Sequence, residues 1–219
     1  MSQPDQPASL PTPELTPSPA PVPRPTSSLI PMLIPTIRTS IPFGFQDNDH
    51  QYDPNIKYND RVAVRAVLRY PLNQEIAMIY CSSGTFWRLP GSQIEDGEDH
   101  GIALARIMME ETGCDIDPDI GAPFLKVEGW CKDWGVYIHE TSYCYPVKVK
   151  GLVVEGRQIK RFCQISWGPV LSMKSLMERH ADRCTSAWGR FSLFRDLNIM
   201  SYYTSGVNNP VFIVRKARE

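Results

Sequence analysis

Three glutamates, Glu98, Glu110 and Glu111, follow the glycine turn that begins at Gly91. They belong to the stretch LPGSQIEDGEDHGIALARIMMEETG, residues 89–113, in which turn residues, acids and a helical run are packed together. A hard divalent cation takes oxygen ligands grouped in one coordination sphere, and this stretch is rich in them. Successive helical residues advance by about 100°, so relative to position 107 the side chains at 110 and 111 lie at about −60° and about +40°. Positions 107, 110 and 111 then form one triangular patch, and three carboxylates there would make a strong cation site. Glu110 and Glu111 fill two corners, but the third is Ile107, which coordinates nothing. The loop ahead of the helix supplies Glu98, with Glu95 nearby, and the Gly91 carbonyl can face the same ion. Glu98, Glu110, Glu111 and Gly91 are therefore the candidate metal ligands.

Each group also has a plainer reading. Glu110-Glu111 is then a solvated helix end, Glu98 completes a turn, and Arg106 ties the loop to the helix.

Regular elements must hold these groups in place. RVAVRAVLRY (residues 61–70) alternates as a strand does, PLNQ (71–74) is a turn, and EIAMIYCSS (75–83) is a second strand. TFWRLP leads into the glycine turn. Asp99 caps a helix over residues 100–111, stopped by Gly113. Residues 123–134 and 135–150 read as two more strands with a turn near Asp133-Trp134-Gly135. A short strand in QISWGPVLSM, a helix over SMKSLMERH and a last helix over residues 186–203 follow. The last helix repeats apolar side chains at Trp188, Phe191, Phe194 and Leu197. The fold class expected is α/β (α+β), a mixed sheet between helices.

The stretch FWRLPGSQIEDGEDHGIALARIMMEETGCDI resembles the Nudix box, in which a glycine, five residues and a glutamate are followed by seven residues and REUxEExGU, with U aliphatic. Alignment puts Glu98 at the first glutamate, Arg106 at the arginine, Glu110-Glu111 at the pair and Gly113 at the closing glycine. The resemblance runs more loosely over residues 61–203. It implies a Nudix-type hydrolase that cleaves a diphosphate linkage in a nucleoside diphosphate-type substrate with Mg2+ or Mn2+. It makes Glu98, Arg106 and Glu110 the candidate catalytic residues and leaves the substrate-binding residues unassigned. The chain departs from the pattern twice: Ser92, directly after Gly91 and separated from Glu98 by five residues, stands where the family has the second glycine of its turn, and Ile107 replaces a ligand glutamate. The family adds a further acid from a downstream loop, for which Glu140 and Glu155 are candidates. Where an acid often precedes the tryptophan, this chain has residues 158–161, including Lys160 and Arg161. The competing expectation is a Nudix-fold module that has lost catalysis and binds a ligand or a protein.

Composition bounds the partners. With 23 basic and 24 acidic side chains the net charge is −1, which gives no pull toward nucleic acid or anionic lipid. No apolar run approaches the roughly 20 residues of a bilayer span. Six cysteines without CxxC spacing read as small core residues of a reduced, cytoplasmic protein, with the nucleus as an alternative compartment. Thirteen of the 20 prolines lie at or before Pro54. Residues 1–54 are therefore expected to be a disordered arm, 55–210 the Nudix-like domain and 211–219 a short tail. PSPAPVPRP in the arm matches SH3-like ligands, and a homodimer is expected by analogy with relatives. The apolar LIPMLIPTI of residues 29–37 either packs back on the domain or is linker. Trp130, Trp134 and Tyr137 are candidates for stacking on a base, or core aromatics. His139 and His180 have no acidic or nucleophilic neighbour at a telling spacing.

Overall fold

A computed structural model describes residues 34–39, 52–152 and 163–205 of the chain. The proline-rich run, the tail, Glu155 and residues 158–161 lie outside the described residues. Among the described residues, nine strands run in the order β1 (Thr36–Thr39), β2 (Asn59–Arg69), β3 (Ile76–Cys81), β4 (Phe86–Arg88), β5 (Gly91–Gln93), β6 (Cys114–Ile116), β7 (Leu125–Asp133), β8 (Val136–Leu152) and β9 (Cys163–Gly168). Helix α1 (His100–Thr112) lies between β5 and β6, and α2 (Val170–His180) and α3 (Ala187–Ser205) follow β9.

The strand order is β1-β7-β8-β2-β3-β4, with β5 added on β2, β6 on β8 and β9 on β3. At its centre β2 runs parallel to β8, from Asn59 opposite Ile138 to Arg69 opposite Lys148. β7 and β8 form an antiparallel hairpin, and β3 pairs antiparallel with β4 and β9. The sheet is mixed and carries helices on both sides, the expected α/β architecture.

Among the described residues, alternation along the strands makes two large cores beside a small cluster of Cys131, Ile138 and Phe191. Val64, Ala66, Leu68, Tyr145 and Val147 face α1 and close over Ala103, Leu104, Ile107 and Met108. Val67, Ile76, Met78, Leu125, Val127 and Cys144 face the other way, onto Met173 and Met177 of α2 and Leu193, Ile199 and Met200 of α3. Successive strand side chains point to opposite faces, so one strand feeds both layers.

Four strands were not read from the sequence. β4, β5 and β6 have three residues each, too short for a period-2 pattern. β1 lies inside residues 1–54, expected to be a disordered arm; it pairs in parallel with β7, Thr36 opposite Lys126, and Ile37 packs on the α2–α3 side. That pairing is with a strand some 90 residues away, invisible to a local pattern. α2 begins at Val170, two residues ahead of the expected helix, directly after Pro169 at the N-cap. Among the described residues no helix is long and apolar enough to cross a membrane.

Candidate functional site

The glycine turn and α1 are set by local backbone chemistry. Gly91 has φ 151°, and a Cβ there would collide with the Val64 carbonyl oxygen and the Arg65 backbone, so only glycine fits. Ser92 is absent from the positive-φ positions, so a side chain there is tolerated. The Asp99 carboxylate accepts from the backbone N–H of Gly101 at 2.8 Å and of Ile102 at 3.4 Å, capping α1. At the other end Gly113 takes the left-handed conformation, φ 67°. The sequence therefore fixes where the acids of α1 begin and end.

Arg106 gathers the first acids. Its Nη2 donates to Glu98 Oε2 at 2.7 Å and its Nε to Glu98 Oε1 at 2.8 Å, while Nη1 reaches Glu110 Oε1 at 3.4 Å and Glu95 stands at 3.8 Å. Glu98 also accepts the Glu95 backbone N–H at 2.9 Å. The hydrogen bonds from Arg106, seconded by that backbone contact, hold the Glu98 carboxyl down at about 2. Glu110 stays 41% exposed beside them.

Glu111 is elsewhere. It is only 2% exposed and faces a guanidinium that the sequence reading did not single out, that of Arg88 on β4. Arg88 Nη2 donates to Glu111 Oε1 at 2.8 Å and Nη1 to Oε2 at 3.1 Å. The Gly91 N–H adds a third bond to Oε2 at 3.0 Å. Burial alone would push the Glu111 carboxyl up; Arg88 and the Gly91 N–H hold it below its ordinary value. Arg88 Nη1 also donates to the carbonyls of Gly91 at 3.0 Å and Leu89 at 3.2 Å, and its Nε to Cys81 Sγ at 3.2 Å. Two of the four expected metal ligands, the Gly91 carbonyl and Glu111, thus both accept from Arg88.

Ile107 completes the separation. It is fully buried in the core under α1, so the triangular patch of positions 107, 110 and 111 splits into a core residue, a half-exposed acid and a buried, paired acid. Among the described residues no three His, Cys, Asp or Glu side chains are grouped as metal ligands. The donor set does not fit Mg2+ or Mn2+, which ask for about six oxygens at about 2.1 Å around a magnesium-sized ion.

Glu140, the candidate downstream acid, is also buried and paired. Arg195 Nη1 donates to its Oε1 at 2.7 Å, Arg65 Nη2 at 3.2 Å and the Ser142 hydroxyl at 2.7 Å. Burial raises the Glu140 carboxyl, but Arg195 and Arg65 outweigh it and bring it to about 2. Asp196 accepts from Arg195 Nε at 2.7 Å and from the Leu89 N–H at 2.8 Å, which ties α3 to the start of the glycine turn. Burial and the neighbouring Arg195 lower the pKa of Arg65, which also donates to the Gly91 carbonyl. Arg65, Arg88, Arg195 and Asp196 escaped the sequence reading; the available signal was charge at apolar positions, in VAVRAVLR, FWRLP and FSLFRDL.

The candidate stacking aromatics make contacts of their own. Trp130 meets Tyr52, tilted at 5.0 Å, and stacks on His139 at 5.0 Å and 11°. Tyr137 meets Tyr58 edge-on and carries Lys132 over its ring. Trp134, in the β7–β8 turn, is 96% exposed. His139 Nδ1 is 2.7 Å from Asp60, an acidic neighbour contributed by β2 that chain spacing does not reveal. A polar cavity of about 300 Å³ opens at the N-terminus of α1, lined by Asp99, His100, Asp119 and Tyr145 among others. Its two aspartates make it a poor cradle for phosphate.

A family model described as the NUDIX domain matches residues 60–188. The chain belongs to the NUDIX family. It is also similar in structure to a NUDIX hydrolase from Nitrosomonas europaea, at 14% identity and a TM-score of 0.43, over 66% of this chain and 98% of that one. No curated protein matches it.

Proposed function

We propose that this NUDIX domain is a binding module that holds a small molecule of the diphosphate class without cleaving it through a divalent ion. The observation that supports this reading is the Arg88–Glu111 pair: the carboxylate that would hold the ion is buried and bonded through both oxygens to a side chain of the same domain. Glu98 is bound through both oxygens by Arg106, Glu140 accepts from Arg65 and Arg195 at one oxygen, Oε1, and Ile107 offers no oxygen. Such a set supports binding over ion-assisted cleavage.

A second reading, a NUDIX hydrolase using Mg2+ or Mn2+ on a nucleoside diphosphate-type substrate, is favoured by one observation. Glu98 and the half-exposed Glu110 share Arg106, so two carboxylates stay together at the mouth of the box.

The purified protein, mixed with ADP-ribose, dinucleotides, coenzyme A and nucleoside triphosphates, separates the two. The binding module shifts its unfolding temperature with one of these ligands and releases no product with or without 10 mM Mg2+ or Mn2+. Ion-dependent turnover well above an Arg106→Gln, Glu110→Gln control would overturn it in favour of the hydrolase.

A further inference from the structure

We infer that Arg88 is a built-in replacement for the divalent ion, a tethered charge on β4 that closes the ion's position to exchange with solution. The inference rests on the binding-module reading and deepens it by naming the group that displaces the metal. Glu111 and the Gly91 carbonyl, two of the four expected ligands, both accept from Arg88 Nη1, at 3.1 and 3.0 Å. A third acceptor, the Leu89 carbonyl, lies at 3.2 Å from the same nitrogen. The other two nitrogens are engaged too, Nη2 by Glu111 and Nε by Cys81.

The exchange is chemically consistent. A small divalent ion needs a near-octahedral shell of oxygens, which requires several acids converging on one point. A guanidinium needs a planar row of acceptors, and one carboxylate met end-on by both Nη atoms, with carbonyls beside it, suffices. This site provides the second set. Ile107, which would have to be an acid for the first, instead packs with Ala103, Leu104 and Met108. The two changes belong together: an arginine facing Glu111 removes the need for a second acid one helical turn earlier, and the vacant corner can join the core. A tethered charge is also present at any ion concentration, so Glu111 stays ionised in its buried place without help from solution.

The test is a cation titration of the full chain and two variants, followed by thermal unfolding and calorimetry. The wild-type protein is expected to show no saturable binding of Mg2+ or Mn2+ up to 10 mM. Arg88→Gln, which leaves Glu111 without its partner, is expected to unfold at lower temperature and to regain about 3 °C or more with 10 mM Mn2+, as linkage predicts for a site of roughly millimolar affinity. Arg38→Gln, which removes an exposed arginine at the sheet edge, is expected to gain no response to the ion. Saturable binding by the wild-type protein overturns the inference, and so does an Arg88→Gln protein indifferent to both ions. If Arg88→Gln does not fold alone, refolding in 10 mM Mn2+ replaces the titration: recovery supports the inference, and failure overturns it. The binding-module reading fails by a different result, ion-dependent turnover by the wild-type chain, so the two failures are distinguishable.

Discussion

Arg106 and Glu98 meet fork to fork across the start of α1, with two contacts of 2.7 and 2.8 Å that pin the loop ahead of the helix to the helix itself. Like Arg88–Glu111 this pair has two contacts, but it is made through Nε and Nη2 where the other uses both Nη atoms, and it sits at the surface end of the box while the other is buried.

The surface pair has a pH signature. The Glu98 carboxyl falls from an ordinary 4.5 to about 2 in the folded protein, so its protonation favours the unfolded chain. Its contribution is complete above about pH 4.5 and is lost as pH drops toward 2. Carboxyl titration by NMR should find Glu98 still ionised at pH 3, and Arg106→Gln should return it toward the ordinary value. A Glu98 that titrates normally in the wild-type protein would contradict the pairing.

The buried pair should behave as a unit. Removing one partner strands a buried charge, so Arg88→Gln and Glu111→Gln should each cost about 3–5 kcal/mol in denaturant unfolding. The double variant should cost clearly less than the sum, because neither charge is left alone. Simple additivity would show that the two side chains do not depend on each other.

Ile107 should act as a core residue. Ile107→Ala is expected to cost about 2–5 kcal/mol, and Ile107→Glu at least as much, since it places an unpaired acid under α1. Restoring the family's glutamate alone is expected to add no turnover, because Arg88 still occupies Glu111. A gain of ion-dependent hydrolysis by Ile107→Glu would favour the hydrolase reading.

Glu140→Gln should remove about 3–5 kcal/mol by leaving Arg195 and Arg65 short of their shared acid. With a folded-state value of about 2, this carboxylate also loses its contribution only below about pH 4.5. The unfolding midpoints of wild type and Glu140→Gln should converge as the pH approaches 2.

The long elements were legible because local rules governed them. Residues 61–70 alternate and β2 formed there; Asp99 and Gly113 bracket α1 as capping chemistry requires. The family followed from the box, and the family model agrees. The direction of the acids was legible only in part. Helical angles put 107, 110 and 111 on neighbouring bearings, but which bearing faces the core depends on what packs there. Ile107 took the core side and drew Glu111 inward with it, one turn on. Arg88 could not be found by spacing, since it reaches Glu111 from 23 residues away on another element. Arg195 and Arg65 meet Glu140 over longer distances still. A lone arginine in an apolar run is a sign of such a partner, but not of its identity.

The register of β1 with β7 carries a practical consequence. A shortened chain starting at residue 55, where the sequence places the start of the folded part, would lose Thr36–Thr39 and bare the backbone amides and carbonyls that face them along Lys126–Gly129. An uncovered strand edge invites pairing with a neighbouring molecule. Trimming the apparently dispensable leader would then cost solubility before it touched a single residue of the box.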